Sequence, residues 1–304
     1  MTSESLAAPK AEADRRTAAG AGYALAAFLL WGLNPIYFKA VASVPAYEVM
    51  VHRAVWSALL LAVLVTIGHK WRTVGQVLLS PRTLRALLLS AILIASNWYA
   101  YIWAVENARI VETSLGYFIN PLVNVLLGLL FLRERLNVRQ WAAVALAAVG
   151  VLNLTVQLGQ LPWIALYLAI SFGIYGLVRK TAPVDALGGL FIETALMTPA
   201  ALLFIAWLAW MGAGALGTRS HAFDLLLVAS GVVTALPLLW FSAAARRLKL
   251  STLGFFQYLS PTTQFLLGVF VWGEPFTRIH AVSFACIWVA LAIITVDALV
   301  RARR

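Results

Sequence analysis

The side chains that could do chemistry in this chain are the few ionisable groups embedded in long apolar stretches. Glu48, His52 and Arg53 lie in one such stretch and Glu193 in another. A charge held in the middle of a bilayer costs at least about 2.5 kcal/mol, so groups of this kind mark substrate or ion pathways. Glu48 and His52 are four residues apart and share one face of a helix. Arg53 falls about seven residues into its stretch, which is about 10 Å deep. Two readings stand for it. It either meets a substrate carboxylate or takes part in proton coupling, or it snorkels to the surface while Glu48 neutralises it. Glu193 has no basic neighbour in its own stretch. It reads either as a desolvated carboxylate suited to proton coupling, in which case Glu193→Gln abolishes pH-driven uptake, or as a structural partner of Arg53.

A second set is polar and aromatic. Asn34 precedes Pro35; Asn97, Trp98 and Trp103 share a stretch; Tyr117, Asn120 and Asn124 flank Pro121; Gln257, Tyr258 and Gln264 flank Pro261. Proline in mid-helix removes a backbone hydrogen bond, so Pro121 and Pro261 are expected helix breaks. In lipid the freed carbonyls must find partners, and paired Pro-interrupted helices point to a transport site. Tyr117 and Asn120 sit beside one break and Gln257 and Tyr258 beside the other. These, with Asn34, Asn97, Trp98 and Trp103, are the expected substrate-lining residues. Aromatic walls with a few amides suit amphiphilic molecules. The competing role for each amide is interhelical hydrogen bonding. Glu134 and Glu274 close two of the stretches and are expected to gate or to form structural salt bridges.

The elements that must position these residues follow from composition. The chain is 62% hydrophobic and only 12% charged, with 304 residues in all. Residues 113–132 and 282–296 carry no charge at all. A spanning helix takes about 20 apolar residues, and ten spans are expected near 20–41, 46–68, 84–105, 111–132, 138–157, 161–178, 187–210, 222–243, 251–272 and 279–299. The fold class is therefore an all-α integral membrane protein. With the N-terminus placed in the cytoplasm, 18 of the 23 Lys and Arg residues fall in cytoplasmic segments and Lys39, Arg109, Arg219 and Arg278 on the far side. That asymmetry explains the net charge of +11 as topology, not as a nucleic-acid surface. It supports an even number of spans with both termini inside. Residues 1–19 are Ala-rich and polar and lack the apolar core of a signal peptide, so a disordered cytoplasmic tail is expected. Trp71, Trp141, Trp163, Trp210 and Trp272 fall near span ends, as an interfacial belt would. Cys286 stands alone and cannot build a disulfide framework or a metal cluster.

The two halves resemble each other. Leu115-Gly116-Tyr117-Phe118 matches Leu253-Gly254-Phe255-Phe256, and Pro121, Gly128 and Glu134 match Pro261, Gly268 and Glu274 at equal spacing. Trp31-Gly32 matches Phe172-Gly173, Lys39 matches Lys180, and in the same register His52 matches Glu193. The expected organisation is a five-helix repeat over 20–157 and a second over 161–299. Five is odd, so the second copy enters the membrane inverted, as in many secondary transporters.

The strings Trp31-Gly32-Leu33-Asn34-Pro35, His52-Arg53-Ala54-Val55-Trp56-Ser57, Leu115 to Pro121 and Leu253 to Tyr258 resemble the RarD (chloramphenicol-sensitivity) subfamily in the EamA branch of the drug/metabolite transporter superfamily. The likeness runs from about residue 20 to 300. It implies ten helices in two inverted repeats around a central cavity. It also implies ATP-independent export of metabolites, amino acids or drugs such as amphenicols by alternating access, from the bacterial inner membrane. The partners expected are a small-molecule substrate, the lipid bilayer and, for coupling, protons; a homodimer is compatible with the sequence. Neither a cofactor nor enzymatic activity is expected. No Walker string, His-Glu-x-x-His or Gly-x-Ser-x-Gly occurs. The rival readings are an intramembrane enzyme and a membrane scaffold without transport activity.

Overall fold

The computed structural model describes residues 3–107, 109–158, 161–273 and 278–302. Every regular element among them is helical: α1 (Ser3–Ala40), α2 (Ala46–Ile67), α3 (Trp71–Leu78), α4 (Pro81–Glu106), α5 (Ile110–Leu132), α6 (Val138–Leu158), α7 (Trp163–Thr181), α8 (Ala186–Trp210), α9 (His221–Ala245), α10 (Leu250–Gln257), α11 (Leu259–Leu266) and α12 (Arg278–Ala302). A single π-helical turn, Leu267–Val271, follows α11. Local chemistry sets several ends. The Asp185 carboxylate accepts the Gly188 N–H at 2.9 Å and opens α8; the Ser220 hydroxyl accepts the Phe223 N–H at 3.3 Å and opens α9. Arg133 turns left-handed at φ 52° and lets the Glu134 N–H close α5 on the Gly128 carbonyl at 3.0 Å.

Among the described residues, eight helical segments are long and apolar enough to cross a membrane, from Arg15–Ala40 to His221–Ala245, and a shorter apolar stretch, Ala281–Asp297, lies in α12. Large apolar side chains such as Phe131, Leu203 and Phe270 stand exposed on the helices. Facing water, each would forgo about 1.5–3 kcal/mol of burial; facing lipid, it forgoes nothing.

The chain forms two compact units. One comprises Met1–Tyr99 and Val178–Leu248, the other Ala100–Leu177 and Lys249–Arg304. In the first, α2 packs on both α8 and α9, and α1 on α9. Small residues permit the closest crossing: the Ser57 hydroxyl donates to the Gly231 carbonyl at 3.2 Å, and a Cβ on Gly231 would lie 2.5 Å from the Trp56 carbonyl carbon. In the second unit α5 packs on α10 and α6 on α12. There Asn153 donates to the Ser283 hydroxyl at 2.9 Å, and Gly150 faces the Ser283 carbonyl.

Each unit draws helices from both halves of the sequence, so the repeat limits at 157 and 161 are not limits of packing. Sequence-matched helices nonetheless meet antiparallel. On α2 and α8, Tyr47 meets Phe204 while Val65 and Ile192 share one buried cluster. On α5 and α10, Pro121 meets Gly254 while Glu134 meets Leu250. On α6 and α12, Asn137 meets Asp297 while Asn153 meets Ser283.

Residues 3–19 are helical and run into the first span as part of α1, with Pro9 near its start. Two expectations are corrected. Pro121 does not break its helix: α5 is continuous from 110 to 132. The expected span at 251–272 is not one helix but α10, α11 and the π-turn, with the interruption at Tyr258, three residues before Pro261. The two matched prolines therefore act differently. Glu274 lies outside the described residues.

Candidate functional site

In the first unit Arg53 projects from α2 into an aromatic clamp. Its guanidinium lies over the Trp98 ring of α4 at 4.8 Å and over the Phe38 ring of α1 at 5.4 Å. Its Nε donates to the Thr234 hydroxyl of α9 at 2.8 Å. Stacking supports a guanidinium where a bare charge would be costly, and four helices fix its plane. Beside it in the chain, His52 Nδ1 accepts the Trp56 indole N–H at 3.3 Å, which leaves the proton of the neutral ring on Nε2. Nε2 faces Glu48 Oε1 at 3.8 Å. The shared face of Glu48 and His52 is thus real. Glu48, however, also accepts the Ala215 N–H at 2.6 Å, tying the start of α2 to the loop after α8. The reading in which Glu48 serves to neutralise a snorkelling Arg53 does not match this geometry, because Arg53 is directed at Phe38, Trp98 and Thr234.

Glu193 has a basic partner, and it is not Arg53. Arg179, in the last turn of α7, lies with Nη1 3.4 Å from Glu193 Oε1, and both side chains are 1% exposed. Arg179 Nε donates to the Ser242 hydroxyl of α9 at 3.1 Å and Nη2 to the Ala186 carbonyl at 3.0 Å. A Cβ on Gly189 would fall 3.0 Å from Arg179 Cζ and closer still to Nη1, so only glycine leaves room for the guanidinium against α8. Arg179 lies just past the expected span 161–178, and the fold turns it inward. Its neighbour Lys180 donates to the carbonyls of Ala245 and Leu248.

In the second unit the amides converge. Asn120, Asn124 and Gln257 are buried, and Asn124 Nδ2 donates to Asn120 Oδ1 at 3.2 Å and to Gln257 Oε1. The Tyr258 side chain is fully buried, and its hydroxyl meets no hydrogen-bond partner among the described residues. Gly254 brings α10 against the Pro121 carbonyl, where a Cβ would sit 2.7 Å away. Glu134 reaches from the end of α5 to the start of α10, accepting the N–H groups of Leu250 at 2.6 Å and Ser251 at 3.0 Å and the Ser251 hydroxyl at 2.6 Å. It is a helix cap supplied from another helix, not a salt bridge.

The remaining expected residues are scattered. Asn34 and Asn97 are half-buried in α1 and α4. Trp103, past the point where α4 enters the second unit, packs on Trp163 at 5.7 Å and with Ile164 and Leu168, a packing role. Tyr117 is exposed and meets Tyr101 at 6.3 Å. Sequence reasoning missed Phe38, Arg179, Thr234 and Ser242. Among the described residues no group of His, Cys, Asp and Glu could hold a metal ion.

Long lipid-compatible helices with a few fixed charges and amides among them define a multi-pass membrane protein. The EamA-like transporter family matches residues 18–156. An uncharacterized transporter of Vibrio cholerae is 52% identical over 276 residues, 91% of each chain. The RarD protein of Escherichia coli K12 is 47% identical over 290 residues, 95% of this chain and 98% of that one. A crystal structure superposes with a TM-score of 0.69 at 19% identity, covering 95% of this chain and all of the other, a likeness of fold alone. The chain belongs to the RarD group of EamA-like transporters.

Proposed function

We propose that the chain is a secondary transporter that exports small organic molecules without ATP, by alternating access. The observation that carries this reading is the Arg53 clamp: a guanidinium fixed by Phe38, Trp98 and Thr234 within apolar helices. A cation so placed suits a carboxylate or another planar, electron-rich group on an amphiphilic solute, with aromatic rings to receive its apolar part. Amino acids, acidic metabolites and drugs of the amphenicol kind fit that description. The buried amides of Asn120, Asn124 and Gln257, with Tyr258, are assigned to polar recognition in the second unit, and the His52–Glu48 pair to proton coupling.

Ten spans in two inverted five-helix repeats complete the proposal. The segment from α10 to Val271 and the apolar part of α12 are the ninth and tenth. Support comes from the antiparallel packing of sequence-matched helices. By the distribution of Lys and Arg, the chain sits in the bacterial inner membrane with both termini in the cytoplasm.

The test is a metabolite comparison between cells with and without the protein, followed by reconstitution of any hit. Saturable counterflow of the labelled solute in liposomes, lost in Arg53→Ala with the protein still folded, supports the reading. Flux without counterflow indicates a channel, a chemically altered solute an enzyme, and no flux of any hit a scaffold.

A further inference from the structure

The segment joining α2 to α4 belongs to none of the clusters above. It contains the short helix α3, and its charge is of one sign: no acidic residue occurs between Glu48 and Glu106. His69 takes φ 53° and turns the chain sharply out of α2. The Trp71 indole N–H then donates to the Thr66 hydroxyl at 3.0 Å, and its ring meets Phe191 of α8 edge-on at 5.4 Å. Val74 and Val77 are buried with Val65, Leu87 and Ile192. One face of α3 is therefore anchored in the unit.

The rest of the segment is exposed and amphiphilic. Ile67 is 70% and Leu79 85% exposed, and Leu78 is exposed beside them. Interleaved with these are Lys70, Arg72, Arg82 and Arg85, all exposed. Lys70 meets Asp185 at 3.5 Å, and Arg85 Nε donates to the Pro81 carbonyl at 3.2 Å. Arg72 and Arg82 have no partner among the described residues. The basic groups at the ends of α7 and α9, and Arg16 of α1, differ, since Lys180, Arg246 and Arg16 donate to backbone carbonyls.

The membrane-crossing segments Ala46–Ile67 and Pro81–Ala104 flank this hairpin, so it emerges where a bilayer presents its headgroups. We propose that α3 and its flanks form a binding site for an anionic phospholipid. Arg72 and Arg82 engage the phosphate-bearing headgroup, while Ile67, Leu78 and Leu79 enter the acyl boundary. The occupant is a lipid and not a free phosphate, because a free anion would give the exposed apolar side chains nothing to cover them. Lys70, held by Asp185, contributes less than the two arginines. The site does not depend on what the protein carries.

Native mass spectrometry of the full-length chain, released from detergent with equal phosphatidylglycerol and phosphatidylcholine of the same acyl chains, tests this. The expected result is preferential retention of phosphatidylglycerol, reduced roughly fivefold for each arginine removed in Arg72→Gln with Arg82→Gln. Leu79→Gln is expected to weaken retention of both lipids. Both side chains altered in the double variant are exposed, so its melting temperature in phosphatidylcholine should match the parent's. Equal retention of the two lipids, an unchanged preference in the double variant, unchanged retention in Leu79→Gln, or displacement of phosphatidylglycerol by equimolar inorganic phosphate would overturn the proposal.

Discussion

Arg179 and Glu193 form an ion pair at 3.4 Å in which neither side chain reaches solvent. The pair ties α7 to α8, and the bond from Arg179 to Ser242 extends it to α9. Removing one partner of such a pair leaves a buried charge uncompensated, at a cost of about 3–5 kcal/mol, whereas replacing both by apolar residues of similar volume is often neutral. Glu193→Leu should therefore lower the melting temperature of the purified protein sharply, and Arg179→Met with Glu193→Leu should recover most of it. The pair is structural if the double variant also keeps the pH dependence of transport. Loss of that dependence in a folded double variant would return Glu193 to a coupling role.

Gly189 and Gly231 are required for room. A methyl group on Gly189 would press on the Arg179 guanidinium, and one on Gly231 would meet the Trp56 backbone. Overpacking of this kind costs about 1–3 kcal/mol. Gly231→Ala should be the worse of the two, because backbone cannot move aside as a side chain can. Thermal unfolding in detergent, compared with Gly22→Ala, whose site is open, checks the order.

Arg53→Lys keeps the charge but loses the planar stack between Trp98 and Phe38. Cation–π contacts contribute about 0.5–2 kcal/mol, so KM for the transported solute should rise by roughly 2- to 30-fold with the fold intact. Thr234→Val, which removes the hydroxyl that accepts from Nε, should shift KM in the same direction by less. Counterflow kinetics in liposomes would measure both; an unaltered KM in Arg53→Lys would remove the clamp from substrate recognition.

Glu134→Gln takes a formal negative charge from the start of α10, where the carboxylate accepts from the Leu250 and Ser251 N–H groups and the Ser251 hydroxyl. Caps are typically worth about 1 kcal/mol, and charged acceptors more. The expected loss is about 1–2 kcal/mol, with Ser251→Ala losing less. Hydrogen exchange at the α10 amides would show fraying in Glu134→Gln before global unfolding.

His52→Gln retains a polar side chain beside Glu48 but cannot take up a proton near neutrality. Transport by the variant should persist and lose its response to an imposed pH gradient. Measuring uptake with and without the gradient in the same liposomes decides it: an intact response would exclude His52 from coupling.

The amino-acid sequence alone determined that this is a helical membrane chain, because runs such as 113–132 are uncharged and long enough to cross lipid. It also singled out Glu48, His52, Arg53 and Glu193, since an ionisable group in such a run is expensive wherever it ends up. Tertiary structure alone decided their partners. A helix in lipid is apolar on every side, so no periodicity reveals which face meets which neighbour. Arg179 therefore read as a loop cation until the fold turned it under Gly189 to Glu193, and Thr234, 181 residues beyond Arg53, gave no sign of meeting it. The matched prolines make the same point. Both lack the N–H of an ordinary residue, yet α5 runs through Pro121 while the chain is interrupted before Pro261. The bond each proline lacks is the one to the carbonyl four residues earlier, and whether the helix holds without it is settled by tertiary packing, not by the proline itself.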